Sequence, residues 1–196
     1  MKCMTSHSTD QELPAGYRLV PVRTTYLEMT APPRVPPVPL PFGCEVKRWQ
    51  RPGPLEYRRL FRAVGGEWGW SGRLLMAEDK LRELLLAEET EVHLLYGGCQ
   101  VAGFAELDRR VAGQAEIAYF GLLPAFIGRG LGRFFLDWAV RRAWRGETRR
   151  VWLHTCEYDH PRALEKYLRA GFTVFGEKTE TQPYPEEGLA RRRPGV

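Results

Sequence analysis

Apolar positions along this chain change their period several times, and each change marks an element. From 17 to 30, "YRLVPVRTTYLEMT" is rich in β-branched and aromatic residues and predicts a strand, with Pro21 favouring a sheet edge. The next stretch, "APPRVPPVPLPF" (31–42), has no apolar period and should be extended, polyproline-like chain. It reads as a stiff surface connector, with a docking motif as the alternative. "CEVKRWQ" (44–50) is a short strand, and "PLEYRRLFRAV" (54–64) places Leu55, Leu60, Phe61 and Val64 at helical spacing behind Pro54. A loop, "GGEWGWSG", precedes a second helical stretch within 73–89. "EVHLLY" and "VAGFAELDRR" flank the turn "GGCQ" as a hairpin, and "GQAEIAYFGLLPAF" (113–126) is a further strand. Then come an amphipathic helix, "LGRFFLDWAVRRAWRG", the strand "RRVWLHTCE", the helix "PRALEKYLRA" stopped by Gly171, and the strand "FTVFGEK". In the helix after the glycines, Leu131, Phe134, Phe135, Trp138 and Ala139 face inward, and Arg133, Asp137 and Arg141 outward. This order predicts a mixed α/β sheet. Residues 1–43 form an extension with a strand (17–30) and the proline-rich connector (31–42), 44–180 the main domain, and 181–196 a mobile tail.

Composition narrows the partners. The 196 residues suit one domain, and 43% hydrophobic content is enough for a core. A net charge of +5 permits a phosphorylated cofactor, nucleic acid or an acidic surface. The basic run "RRAWRGETRR" (141–150) alternates charge with core positions and reads as a solvated helix end, so no nucleic-acid partner is expected. No apolar run is long enough for a membrane span and no leader is evident, so the expectation is a cytoplasmic chain without a membrane partner. Cys3, Cys44, Cys99 and Cys156 show no paired spacing, and with the four histidines they form no metal motif; no metal is expected.

The chemistry begins at "FGLLPAFIGRGLGR" (120–133), where Gly128, Gly130 and Gly132 lie between a strand and a helix. Glycines entering a helix expose backbone N–H groups at the positive end of its dipole, an arrangement that binds phosphate. Arg129 and Arg133 add positive charge there. The segment lacks the Lys-Ser or Lys-Thr of a P-loop, and its G-x-G-x-G spacing and late position do not fit a dinucleotide fingerprint.

The segment resembles the pyrophosphate loop of the GNAT superfamily of acyl-CoA-dependent N-acetyltransferases. Leu122-Leu123-Pro124 makes the strand exit, and Ile127-Gly128-Arg129-Gly130-Leu131-Gly132 makes the loop, with Ile127 where Gln or Arg is usual. Downstream, "HPRALEKYLRAGF" (160–172) is similar to the superfamily's pantetheine-lining helix: Ala163, Tyr167, Gly171 and Phe172 are in register, and His160 replaces the usual Asn. The resemblance covers roughly residues 45–178. It implies the GNAT fold, a mixed, mostly antiparallel central sheet flanked by helices. It also implies acetyl-CoA as donor, held by Leu122, Leu123, residues 127–132 and His160, with Tyr167 giving a proton to the departing thiolate. A homodimer is left open by it.

Transfer to an amine requires a base, because an amine of pKa near 10.4 is free base in only about one molecule in a thousand or fewer at pH 7. Glu116 is the first choice: counted by twos, Glu116, Ala118, Phe120 and Leu122 share a strand face. "AEI", eleven residues before Ile127, also resembles the histone acetyltransferase branch, where a catalytic Glu stands at that place. His154 is the second choice. An oxyanion donor is expected at a backbone N–H near Leu122, beside a bulge eased by Gly121. Trp68 and Trp70 are candidate walls of the acceptor pocket or anchors of their loop. The reading is an N-acetyltransferase acting directly on a small-molecule or peptide primary amine; the alternative is a non-catalytic acyl-CoA-binding module.

Overall fold

The computed structural model describes residues 13–191. Cys3 and the expected outer ends of the N-terminal extension and C-terminal tail lie outside the described residues. The elements run β1 (Tyr17–Met29), β2 (Cys44–Arg48), α1 (Pro54–Gly65), a 3₁₀ turn (Gly66–Trp68), α2 (Gly72–Leu75), α3 (Glu78–Leu86), β3 (Thr90–Gly97), β4 (Gln100–Asp108) and β5 (Gln114–Leu122). A second 3₁₀ turn (Pro124–Phe126), α4 (Leu131–Ala143), β6 (Arg150–Cys156), α5 (Ala163–Arg169), β7 (Thr173–Pro185) and α6 (Glu186–Arg191) complete the chain. All seven strands join one sheet in the order β2-β3-β4-β5-β6-β1-β7. Every neighbouring pair is antiparallel except β5 and β6.

The first strand therefore sits inside the sheet, between the last two. Pro21 was expected to mark an edge, and the register explains why an interior strand tolerates it. β6 pairs with β1 only over Thr24–Met29, so the stretch Tyr17–Arg23 has β7 alone beside it. Pro21, opposite Thr181, falls in that half, where one side of the strand has no ladder to serve. The same pairing corrects the expected tail: residues 181–185 prolong β7 against Tyr17–Pro21, and 186–191 form a helix.

The proline-rich segment travels from β1 to β2 at the far edge of the sheet, crossing α4. The Val38 N–H donates to Asp137 Oδ2 at 3.0 Å, and Arg141 Nη2 donates to the Val35 carbonyl at 2.7 Å. Asp137 and Arg141, on the outer side of α4, thus hold a strap in place. Proline suits it, since a chain with few donors loses little by making few hydrogen bonds.

Each face of the sheet carries its own core. On one face α4 packs Leu131, Phe135 and Val140 against Ala115, Ile117, Val151 and Leu153. On the other, α1 and α3 pack Tyr57, Phe61, Leu81 and Leu85 against Val92, Leu94 and Phe104. Among the described residues no helix is long and apolar enough to cross a membrane.

Away from the cleft described below, a buried charge cluster ties β3 to α4. Glu91 accepts from Arg142 Nε at 2.7 Å and Arg109 Nε at 3.1 Å, and lies 2.8 Å from His93 Nε2. Arg109 also donates to the carbonyls of Arg142, Ala143 and Arg145, closing the C-terminal end of α4. Burial would raise the Glu91 pKa, but His93 and the two guanidiniums outweigh it and hold the carboxyl well below its usual range.

One irregularity shapes everything that follows. Along β5 the pairing with β4 steps from Glu106↔Tyr119 to Leu107↔Ile117, so Ala118 is an extra residue. A bulge bends its strand and increases the local twist. The parallel pairing of β5 with β6 ends at Glu116↔Trp152, just before that bulge, and beyond it the two strands part.

Candidate active site

Where β5 and β6 part, a cleft of about 1000 Å³ opens. The glycine turn borders it through Gly128, Gly130 and Gly132. Gly128 (φ 83°) and Gly130 (φ 81°) both adopt the left-handed conformation, which explains two of the three glycines. No side chain caps α4, so the first N–H groups of this thirteen-residue helix have no intrahelical or capping acceptor. Arg133 borders the cleft from the first turn. Arg129 instead stacks over Phe126 with its guanidinium 5.2 Å from the ring centre.

The other expected cofactor residues divide by role. Ile127 is exposed and borders the cleft, as does Leu122. Leu131 is buried in the α4 core and Leu123 packs against it, so neither side chain belongs to the cleft wall. Leu123 N–H donates to the Ala102 carbonyl at 2.8 Å. Alternation along an antiparallel ladder then turns the N–H groups of Phe120 and Leu122 away from β4, towards the edge that β6 has left. The free donor expected near Leu122 thus exists, but the bulge does not lie there. Gly121 is needed for another reason: a Cβ would sit 2.5 Å from Val64 Cγ1 and 3.4 Å from the Trp70 ring.

The bulge also corrects the expected facing of Glu116. An extra residue reverses the parity of a strand. Ile117, Phe120 and Leu122 pack with the α4 core, while Tyr119 joins the α1 side. Glu116 consequently does not share a face with Phe120 and Leu122. Its Oε1 lies 3.3 Å from His154 Nδ1, within ion-pair reach. His154 borders the cleft, whereas Glu116 is absent from its wall. Burial would lower the imidazole pKa, yet Glu116, with help from Asp159, raises it above the ordinary histidine value.

Asp159 is a site residue that the sequence patterns do not single out. It stands in the cleft wall and accepts three hydrogen bonds: from Trp70 Nε1 (3.0 Å), Thr155 Oγ1 (2.7 Å) and the Cys156 N–H (3.0 Å). The only signal was an aspartate just before "HP". Trp70 is thereby tied across the cleft, and it packs on Phe61 and Tyr119. Close approach to Gly65 requires that glycine, since a Cβ would fall 2.1 Å from the ring. Trp68 also borders the cleft, with its ring 5.1 Å from that of His160. His160 accepts the Arg162 N–H at Nδ1 (3.1 Å), a turn-closing bond ahead of α5.

Tyr167, on α5, borders the cleft, and burial with the Asp159 charge pushes its phenol well above the usual value. Cys156 is there too; burial and Asp159 push its thiol up to about 12, so it stays protonated. Among the described residues no group of three or more His, Cys, Asp or Glu side chains is placed to hold a metal ion.

The sheet splays between β5 and β6, a glycine turn opens α4 at the split, and His154, backed by Glu116, borders the same cleft. Residues 56–172 match the acetyltransferase (GNAT) family, and the chain belongs to it. A mycothiol acetyltransferase from Corynebacterium efficiens is 35% identical over 86 residues, a stretch covering 44% of this chain and 29% of that protein. The chain therefore matches under a third of that relative's length. Among solved structures, a GNAT-family protein from Novosphingobium aromaticivorans aligns with a TM-score of 0.59 at 18% identity, over 89% of this chain and 70% of the other. A conserved protein of unknown function from Staphylococcus epidermidis aligns with a TM-score of 0.58 at 16% identity, over 90% and 69%. These structures establish the fold, which is the GNAT fold.

Proposed function

We propose that this protein transfers the acetyl group of acetyl-CoA directly to a primary amine. The observation that carries the reading is the continuity of one cleft from the uncapped N-terminus of α4 to the His154 ring. Acetyl-CoA supplies an activated acetyl group as a thioester. The residues fit it: the N–H groups at Gly130–Gly132 and the Arg133 charge suit a pyrophosphate, with Ile127 and His160 beside them.

His154, rather than Glu116, is the group positioned to take the proton from the amine, directly or through one water. Glu116 acts through it, orienting the ring and raising its basicity. The Leu122 N–H offers a donor for the acyl oxygen. Tyr167, kept neutral by burial, offers its O–H to the departing sulfur. Cys156 stays a thiol, which favours direct transfer over an acyl-cysteine route.

The test is calorimetric titration with acetyl-CoA, followed by thiol release in the presence of amines. Micromolar binding, about −8 kcal/mol, together with amine-dependent release is expected. Binding without release for any amine would leave only the acyl-CoA-binding module. Gly130→Ala should weaken binding about tenfold: alanine disfavours the left-handed conformation by roughly 1–2 kcal/mol, so the free turn relaxes and the ligand must restore it. Unchanged affinity would remove the glycine turn from the site.

A further inference from the structure

The family match begins at residue 56, yet the cleft does not end with the matched residues. Leu19, Val22 and Thr24 of β1 all border it. Their order gives a direction. Tyr26 pairs with His154 and Thr24 with Cys156, and there β6 stops; Val22 and Leu19 continue alongside β7. The strand therefore carries the cleft onward from His154, away from the last residue that β6 can offer.

This far section has a marked chemistry. Trp68, Trp70, Tyr158 and Tyr184 border the cleft with Leu19 and Val22, a wall of rings and branched side chains. The charged side chains bordering the cleft are few. Its cations, Arg133 and Lys166, stand on α4 and α5, the helices that carry the glycine-turn and Tyr167 motifs. Its carboxylates are Asp159 and Glu180, and Lys178 already pairs with Glu180 at 2.5 Å. Among the described residues, Asp159 is left as the cleft carboxylate with no cationic side chain paired to it. Beside this lies the Thr24 hydroxyl, in a residue only 1% exposed, with no hydrogen-bond partner among the described residues. A buried hydroxyl left without a partner is uncommon, and at a cleft floor it points to a ligand.

We infer that the acceptor is a monoamine with an apolar, preferably aromatic body, seated on β1 with Thr24 and Asp159 meeting its amino group. The inference rests on the acetyl-transfer reading and adds the substrate class and the strand that selects it. A zwitterion would bring a carboxylate into a section that, among the described residues, is bordered by no cation. A polycation would find, among the described residues, one carboxylate without a cationic partner for several charges. A single ammonium on a ring-bearing chain satisfies both the charge and the rings, which favour cations over their faces. The amine arrives as the ammonium held by Asp159 and Thr24 and passes one proton to His154. Its nitrogen then forms the new bond to the acyl carbon as the carbon–sulfur bond breaks. The sulfur leaves as the thiol with the Tyr167 proton, and the second proton shed by the amide nitrogen restores the phenol.

The experiment compares phenethylamine and hexylamine with lysine, spermidine and kanamycin as acceptors for the full chain, following thiol release. The monoamines should exceed the other three in kcat/KM by about tenfold or more. Thr24→Val keeps the shape of the side chain and removes the hydroxyl. It should raise KM for phenethylamine about tenfold, with the larger part of the loss in KM rather than kcat. The thermal midpoint should hold or rise, because no bond within the protein is lost. Preference for lysine, spermidine or kanamycin would overturn the substrate class while leaving acetyl transfer intact. An unchanged KM in the variant would overturn the role of Thr24. Acetyl-CoA binding with no amine accepted would remove both this inference and the transfer reading beneath it.

Discussion

His154→Gln should lower kcat/KM for amine acetylation by about 10²–10⁴, while acetyl-CoA still binds. Glutamine keeps a polar side chain of similar reach but cannot take a proton. The pH profile identifies the role. His154 must be neutral to act as a base, so the wild-type rate should fall as pH falls through its pKa. That pKa lies above the ordinary histidine value because Glu116 and Asp159 outweigh burial. The acid limb should therefore sit above pH ~6.5. Glu116→Gln removes the principal raising influence, so the limb should move to lower pH and the maximal rate fall. A limb that stays put in the Glu116 variant, or survives in His154→Gln, would assign the proton to another group. The linkage has a definite sign. A raised pKa means the pair's stabilising contribution is complete below the unfolded value and fades as pH rises through the folded one. Activity thus grows over the range in which the ion pair weakens.

The second large effect concerns stability. Arg73→Met should lower it by about 3–5 kcal/mol, read as a drop in the thermal or denaturant midpoint. Glu106 on β4 is fully buried and accepts Arg73 Nη2 at 2.6 Å and the Tyr57 hydroxyl. Removing the guanidinium strands a carboxylate in the core with a phenol as its sole remaining partner among those bonds. The double variant Arg73→Met, Glu106→Gln should recover much of the loss, because no buried charge remains to be compensated. If the double variant is as unstable as the single, the loss comes from packing and not from charge. Arg73 also lies over the Tyr119 ring at 5.0 Å, and Arg58 clamps the Arg73 carbonyl. These contacts hold α2 against the sheet beside Trp70. The single variant should accordingly show a raised KM for the amine even below its melting range.

Some of this was readable in the chain because its cause is local. Glycines at 128 and 130 are demanded by the left-handed backbone, and Gly171 (φ 100°) closes α5 for the same reason. Helical faces such as Leu131, Phe134, Phe135 and Ala139 follow from period alone. Other features depend on partners far away in sequence. The bulge at Ala118 has no glycine to announce it, so counting by twos put Glu116 on the wrong face. The meeting of Glu116 with His154 needs the β5–β6 register, and the part played by Asp159 needs Trp70, 89 residues away in the chain. Pro21 argued for an edge because the half-paired register of β1 is invisible locally.

That placement of β1 has a temporal side. Its partners lie at the other end of the chain: Thr24 pairs with Cys156 and Tyr17 with Pro185. Synthesis runs from the N-terminus, so the strand made first can be seated only after the last two exist. Until then the slot between β6 and β7 stands open, and the growing chain carries an unpaired thirteen-residue β segment. Pairing Tyr17 with Pro185 also brings the two ends of the described chain side by side. The far section of the cleft, which β1 floors, is therefore complete only once β7 has been made.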